Sequence, residues 1–375
     1  MKIALLSYST KPRGGVVHTL ALAEALAAAG QDVTVWTLGR GGDAGFFRPV
    51  DPAVRLRIVP FPDGPPEESV GERILRSIAV LGTAFEPFAA AYDIVHAQDC
   101  ISANAVGGRC VRTVHHIDHF TTPELAVCHE RAIVEPYAHI CVSAAVATEL
   151  ADGWGIEAAV IPNGVAYDRF ATTEPAARAH WRARLGRYVL TVGGIEPRKG
   201  SLDLLEAYAL LRSAHPDVRL VIAGGETLFD YRDYRARWEA RAAELRVEPV
   251  VLGQVAEDEL PPLVAAASAF AFPSVKEGFG LAAMEALAAG VPLVVRDLPV
   301  LREVFDSAAR FATTHQDLAA ELGAALTDDT AARRASGRRL AARHTWTTAA
   351  ERHLAFYGSA AMSRDRGREG RWSRV

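Results

Sequence analysis

The sequence says the same thing twice. Each half of the chain opens with an apolar strand, then a glycine-containing loop, a helix and another strand. In the first half, Lys2–Ser7 reads as a strand, the loop runs to Gly14-Gly15, and Val17–Ala29 has apolar residues at helical spacing before Gly30. Asp32–Leu38 follows as a β-branched strand, with further strands over Val54–Val59, Ile94–Ala97, Val111–Val114, His139–Val142 and Ala159–Ile161. In the second half, strands are expected at Tyr188–Val192, Arg219–Ala223, Pro249–Leu252, Ala269–Pro273 and Pro292–Val295. Helices at Leu202–Ser213, Tyr231–Arg246, Asp258–Ala267 and Leu281–Ala289 alternate with them, and a run of helices fills the remainder. Strands that alternate with helices pair in parallel, because a parallel pair needs a crossover and a helix supplies it. The pattern therefore predicts an α/β chain of two doubly wound, Rossmann-like domains facing each other.

The turn signal Ile161-Pro162-Asn163-Gly164 puts the boundary in the stretch Pro162–Pro175. The 375 residues fit two domains of ordinary size. A net charge of −4 makes the whole chain a poor binder of nucleic acid. Its end differs: Ser363–Val375 holds five arginines against Asp365 and Glu369. That tail is expected to be disordered, with at most weak peripheral contact to an anionic membrane. No uninterrupted apolar run reaches the ~20 residues that cross a bilayer. The first apolar stretch is too short for a signal peptide core and runs straight into the fold. Cys100, Cys110, Cys128 and Cys141 match no zinc spacing, so the expectation is a reduced, cytoplasmic protein with inert thiols.

The residues richest in chemistry are Glu277-Gly278-Phe279-Gly280-Leu281-Ala282-Ala283-Met284-Glu285. Glu277 falls just past the carboxyl end of a strand, where open parallel sheets bind ligands. Glu285 falls about one turn into the next helix. Between them the N–H groups of Phe279, Gly280 and Leu281 open that helix, and free N–H groups with the helix dipole favour an anion such as a diphosphate. Spacing alone is equally compatible with two solvated glutamates. Gly14-Gly15 and Arg198-Lys199 taken singly read as a turn and an exposed basic turn. Val114-His115-His116-Ile117-Asp118-His119 invites a metal, but no second cluster completes a shell. No Gly-x-Gly-x-x-Gly fingerprint, no Gly-x4-Gly-Lys-Ser/Thr loop and no Asp-x-Asp pair is present.

Taken together, these segments resemble the family-4 (group 1) retaining glycosyltransferases of the GT-B fold. The resemblance rests on Glu277-x7-Glu285 with its Gly-Phe-Gly insert, on Phe272-Pro273-Ser274 and on Glu285-Ala286-Leu287-Ala288-Ala289-Gly290-Val291-Pro292. Ile161-Pro162-Asn163-Gly164-Val165 and Val192-Gly193-Gly194-Ile195-Glu196-Pro197-Arg198-Lys199-Gly200 add to it, as does Trp346 before the last helix. It covers nearly the whole chain up to about residue 361, and it is tightest in the second half.

The resemblance implies an acceptor-side domain at 1–167 joined by a returning helix at 346–361. It implies a nucleotide-sugar domain at 168–345 and a central cleft, and it leaves 362–375 as the tail. Glu277 would face the donor sugar and Glu285 the ribose, both as ionised carboxylates. Lys199 would neutralise the diphosphate. The family often places an Arg where this chain has Gly194, and Arg198 is the substitute. Gly14 and Gly15 would let the backbone approach the diphosphate, with Gly278, Phe279, Gly280 and Leu281 completing the donor contacts. His115 would act in catalysis with Glu277. His116 and Asp118 are secondary, Asp99 would shape the cleft, and Gln254 and Val255 would touch the base.

The implied activity is transfer of a sugar from a nucleotide-diphosphate sugar to a hydroxyl acceptor with retention. No metal and no other cofactor would be needed, because Lys199, Arg198 and helix amides would meet the leaving charge. The acceptor stays open among small metabolites, lipids and glycans. An epimerase or hydrolase of the same fold, or a non-catalytic nucleotide-sugar binder, are the alternatives.

Overall fold

The structure is a computed structural model. It describes all residues except 66, 119, 121–122, 226–230, 329–330 and 373–375, with side chains described through Ala360. The chain divides into two compact units. Unit 1 is Met1–Gly164 with Trp346–Val375, and unit 2 is Val165–Thr345. The division follows Gly164, not residue 167, and both crossings are tied to each other within unit 2. The Val165 N–H donates to the carbonyl of His344 at 2.8 Å.

Unit 1 is built on β1 (Lys2–Leu6), β2 (Asp32–Arg40), β3 (Arg55–Phe61), β4 (Ile94–Ala97), β5 (Val111–Val114), β6 (Ala138–Cys141) and β7 (Ala159–Val160). They form one parallel sheet in the order β3-β2-β1-β4-β5-β6-β7. Side chains alternate across the central strand. Ile3 and Leu5 join Leu20, Val33, Val35 and Tyr357 on one face. Ala4 and Leu6 join Trp36, Leu38, Leu81 and Phe85 on the other. The connecting helices start on capping side chains: Ser69 with Glu72, and Asp99 with Ser102.

Unit 2 holds β8 (Arg187–Val192), β9 (Val218–Ala223), β10 (Val250–Gly253), β11 (Ala269–Phe272), β12 (Leu293–Arg296) and β13 (Arg310–Ala312). The order is β10-β9-β8-β11-β12-β13, again parallel. The strand β13 stands where only helices are expected. It is a three-residue edge strand, too short to leave a period in the sequence.

The last helix covers Trp346–Trp372. It continues through residues expected to be disordered beyond 361; residues 362–372 have no proline and four arginines, which favour helix, against Gly367 and Gly370, which do not. Its Ala350 and Tyr357 are fully part of the unit 1 core. The stretch Val70–Ala91 is long and apolar enough to cross a membrane by length and composition. Its residues Ile74, Ser77, Leu81 and Phe85 are buried, and Leu81 and Phe85 join the core beside β1 and β2. The four cysteines are free thiols, and burial pushes Cys100, Cys110 and Cys141 up to about 12. None of those three is a thiolate at neutral pH.

Strand order reverses direction between β1 and β4 in unit 1 and between β8 and β11 in unit 2. At such a switch point the loops leave in opposite directions and open a crevice at the carboxyl ends of the strands.

Candidate active site

In unit 2 the loops after β8 and β11 lock together. Gly193 has a φ of 148° and donates its N–H to Ala223 at 2.8 Å. A Cβ on Gly224 would lie 2.1 Å from the Gly193 oxygen, so only glycine fits there. The short turn Pro197–Lys199 then ends on Gly200, at φ 63°. A Cβ on Gly200 would sit 2.2 Å from the carbonyl oxygen of Pro273. The Val275 N–H donates to the Arg198 carbonyl at 2.8 Å. The basic turn is thereby seated on the end of β11. Gly200→Ala is expected to destabilise the protein by on the order of 2–3 kcal/mol through strain and overlap, readable as a lowered urea midpoint. An unchanged midpoint would mean the turn is not seated in this way.

This seating brings three of the expected site residues together. Lys199 Nζ donates to Glu277 Oε1 at 2.6 Å, and Arg198 Nη1 reaches the same oxygen at 3.1 Å. Arg198 Nη2 donates to Glu196 Oε1 at 3.1 Å. The Lys199 ammonium lies 5.1 Å from the Phe272 ring centre. In the ligand-free protein the two cations and Glu277 therefore hold one another. Ser274, beside them at the end of β11, has a buried hydroxyl without a partner.

Gly278, Phe279 and Gly280 run on from Glu277 into the helix Leu281–Ala288. Gly280 has φ 94°, and no side chain caps the first turn. The helix start is thus left open for an acceptor of its N–H groups. Phe279 can contribute only backbone, because its ring is 3% exposed and packs 5.6 Å from His344.

Glu285 departs from the ionised state expected of it. Burial pushes its carboxyl up to about 8, and Glu257 pushes the same way while Arg169 opposes. Arg169 is itself ion-paired to Glu257, so its help is shared. Glu285 is mostly protonated at neutral pH in the free protein. Gln254 lies beside Gly225, past the end of β9.

In unit 1 the helix Gly14–Ala28 begins on the glycine pair itself, earlier than the expected Val17. Neither glycine has a positive φ. They do not form a strained turn; they leave the helix start bare, with no side-chain cap and no acidic residue in the first turn. A Cβ on Gly15 would come 3.8 Å from the His115 ring, and one on Gly14 would meet nothing within 4 Å.

His115 follows β5 directly, and its Nε2 is buried without a partner. The His18 ring packs edge-on against it at 4.8 Å between centres. Burial, with Arg112 and His116 adding to it, holds His115 well below the usual imidazole range, so the ring is neutral. A neutral ring with an unused nitrogen can accept a proton or a hydrogen bond. His18 Nδ1 is paired with Asn163 Oδ1 at 2.9 Å. His116 Nε2 lies 3.2 Å from Asp118 Oδ2, and His119 lies outside the described residues. Among the described residues no three His, Cys, Asp or Glu side chains converge as a metal site. Asp99 caps its helix through Ser102 at 2.8 Å, which is a structural role.

Sequence reading missed several groups here. His18 sits at a core position of a helix, which gives no local sign of chemistry. Arg13 and Arg40 are far apart in sequence and meet only because β1 and β2 are neighbours. His96 and His353 are joined through Tyr357: His96 Nδ1 contacts the Tyr357 hydroxyl at 2.7 Å, and the His353 and Tyr357 rings lie 5.9 Å apart.

Comparison with known proteins gives the family and the fold. Residues 12–169 match Glycosyltransferase Family 4, and residues 178–340 match the glycosyl transferases group 1. A phosphatidyl-myo-inositol mannosyltransferase of Mycobacterium tuberculosis is 32% identical over 227 residues. That match spans only 57% of this chain and 57% of the relative. A glycogen synthase of the same organism is 30% identical over 411 residues, covering 96% of this chain and 95% of the relative. Among solved structures, Anabaena HepE in complex with UDP-glucose shares the fold with a TM-score of 0.77 at 23% identity, covering 96% of this chain and all of that one. The fold is GT-B, two Rossmann-like parallel-sheet domains. The chain belongs to the group 1 glycosyltransferases.

Proposed function

We propose that the protein transfers a sugar from a nucleotide-diphosphate sugar to a hydroxyl acceptor with retention at the anomeric carbon. The observation that carries this reading is the convergence of Lys199, Arg198 and Glu277 at the unit 2 switch point, beside an uncapped helix start. HepE holding UDP-glucose and the mannosyltransferase relative support it.

Donor binding exchanges partners. Lys199 leaves Glu277 for the diphosphate, and Glu277 is freed to accept from sugar hydroxyls. The N–H groups of Phe279, Gly280 and Leu281 share the diphosphate charge, Gly278 permits close approach, and Glu285 binds the ribose. In unit 1, His115 and the bare helix start at Gly14 and Gly15 are the groups assigned to the reaction. The bond from the anomeric carbon to the diphosphate oxygen breaks, the acceptor oxygen takes its place, and the acceptor proton leaves with the nucleoside diphosphate. Fixed cations and amides meet the leaving charge, so the enzyme works without a metal, in the reducing cytoplasm.

Two outcomes are expected. His115→Ala binds nucleotide sugar as the parent does and loses turnover by about 10²-fold; unchanged turnover would remove His115 from the chemistry. Glu285→Gln, which imitates the protonated carboxyl, keeps more donor affinity at pH 7 than Glu285→Ala, as titration calorimetry would show. Equal losses would mean that the charge of Glu285 is what binds. The anomeric configuration of the product, read by NMR in the presence of a chelator, tests retention and metal independence together. An inverted product or a complete loss of activity would contradict the reading.

A further inference from the structure

Unit 1 has a second concentration of charge that the donor chemistry does not use. Tyr8 follows β1, Arg13 precedes the first helix, Arg40 ends β2, and Arg73 lies on the helix Val70–Phe85. The Arg13 and Arg40 guanidiniums lie 5.8 Å and 5.5 Å from the Tyr8 ring centre. Arg40 also lies 5.2 Å from the Phe61 ring, and its Nη2 donates to Ser77 Oγ at 2.9 Å.

Three of the surrounding carboxylates are engaged elsewhere, and the fourth, Asp99, has its Oδ2 buried without a partner. Asp43 is held by Lys11 and Thr10, Glu68 by Arg76, and Glu72 by the Ser69 cap. Asp99 spends one oxygen on Ser102. Among the described residues neither Arg13 nor Arg40 has a salt bridge, and the Nε of each is buried without a partner. Arg40 is held below its ordinary value by burial first, with Arg73 and Arg13 repelling it and Tyr8 and Asp99 opposing. Like charges gathered in a partly desolvated place destabilise one another unless an anion joins them. The arginine fork is suited to phosphate oxygens, and the adjacent helix start offers uncapped amides.

We propose that Tyr8, Arg13 and Arg40 form a subsite of unit 1 for a phosphate group carried by the acceptor. This rests on the glycosyltransferase reading for the word acceptor, and on nothing in unit 2 for the binding itself. A phosphate monoester brings close to two negative charges to the Arg13 and Arg40 guanidiniums, while Asp99 beside them is held above the usual carboxylate range by burial and faces Arg112. The Tyr8 ring gives the attached organic group a face to lie against. The phosphate can come from a soluble sugar phosphate or from a phospholipid headgroup.

The test is calorimetry on the full chain, with UDP titrated first and glucose 6-phosphate, glucose or anionic phosphatidylinositol vesicles titrated second. Glucose 6-phosphate is expected to bind at least tenfold more tightly than glucose. Arg40→Gln and Arg13→Gln are each expected to weaken it at least tenfold. Arg13 is half-exposed at a helix start, so that variant keeps the fold even if Arg40→Gln does not. Vesicle binding without glucose 6-phosphate binding, lost in the same variants, assigns the phosphate to a lipid headgroup and also supports the subsite. Equal affinity in parent and both variants overturns it. So does phosphate binding that disappears in Lys199→Ala but survives in the arginine variants. UDP reports separately: a protein that binds the phosphate probe but no nucleotide contradicts the donor reading and leaves the subsite standing.

Discussion

Lys199→Ala is expected to lower kcat/KM for the nucleotide sugar by about 10²–10³-fold. The lysine is the closest cation to Glu277, at 2.6 Å, and the turn that carries it is fixed by Gly200 against β11. Its removal has two consequences. The diphosphate loses a charge-assisted bond, worth about 1.5–3 kcal/mol in binding. The developing charge on the leaving group loses its nearest counter-charge, which adds to the loss in turnover. Arg198 remains on Glu277, 3.1 Å away, so the carboxylate is not left unpaired and the fold is preserved. Lys199→Arg is expected to recover part of the binding but little of the rate, because the longer fork cannot take the same place beside Glu277 and the Phe272 ring. Steady-state kinetics with a melting curve on each variant decide it. Parent-like kinetics in Lys199→Ala would remove the lysine from the site.

The second large effect is acid sensitivity of unit 1. His18, His96 and His115 are held well below the usual imidazole range by burial, and burial lowers His353 to about 4. An unfolded chain binds protons at these positions near pH 6.5, and the folded chain does not. Stability therefore rises with pH. The contribution is complete above pH 6.5 and is lost as pH falls toward the folded values. For His353 alone the loss by pH 4 is about 3 kcal/mol, a large part of a typical domain's stability. Between pH 6.5 and 5 Glu285, protonated in the folded chain and ionised in the unfolded one, opposes this slope by about one proton, and the four histidines outweigh it. Urea denaturation is expected to show a steep fall in that interval, and His353→Leu should remove one proton from its slope. A flat profile from pH 6.5 to 5 would mean that these rings are hydrated or charged in the folded state.

The alternation of strand and helix made both sheets legible, because apolar strands with one helix per crossover leave few other arrangements. The Glu277 to Glu285 segment was legible for a local reason: strand end, glycines and helix start are consecutive in sequence. Other features depend on partners that local sequence does not show. Lys199 meets Glu277 only because β8 and β11 are neighbours. His115 meets His18 only because the start of the first helix lies beside the residue that follows β5. The protonation of Glu285 reflects burial and Glu257, neither of which is visible in residue order. Arg13 and Arg40 read as ordinary surface charges until β1 and β2 bring them to one aromatic ring.

The central claim is that unit 2 binds a nucleotide-diphosphate sugar through Lys199 and Glu277. Titration calorimetry of the parent and Lys199→Ala against UDP-, GDP- and ADP-sugars tests it directly. The expected result is saturable binding of one nucleotide class by the parent, weakened by at least tenfold in the variant. Folded parent protein that binds none of the three, or a variant that binds as tightly as the parent, would contradict the account.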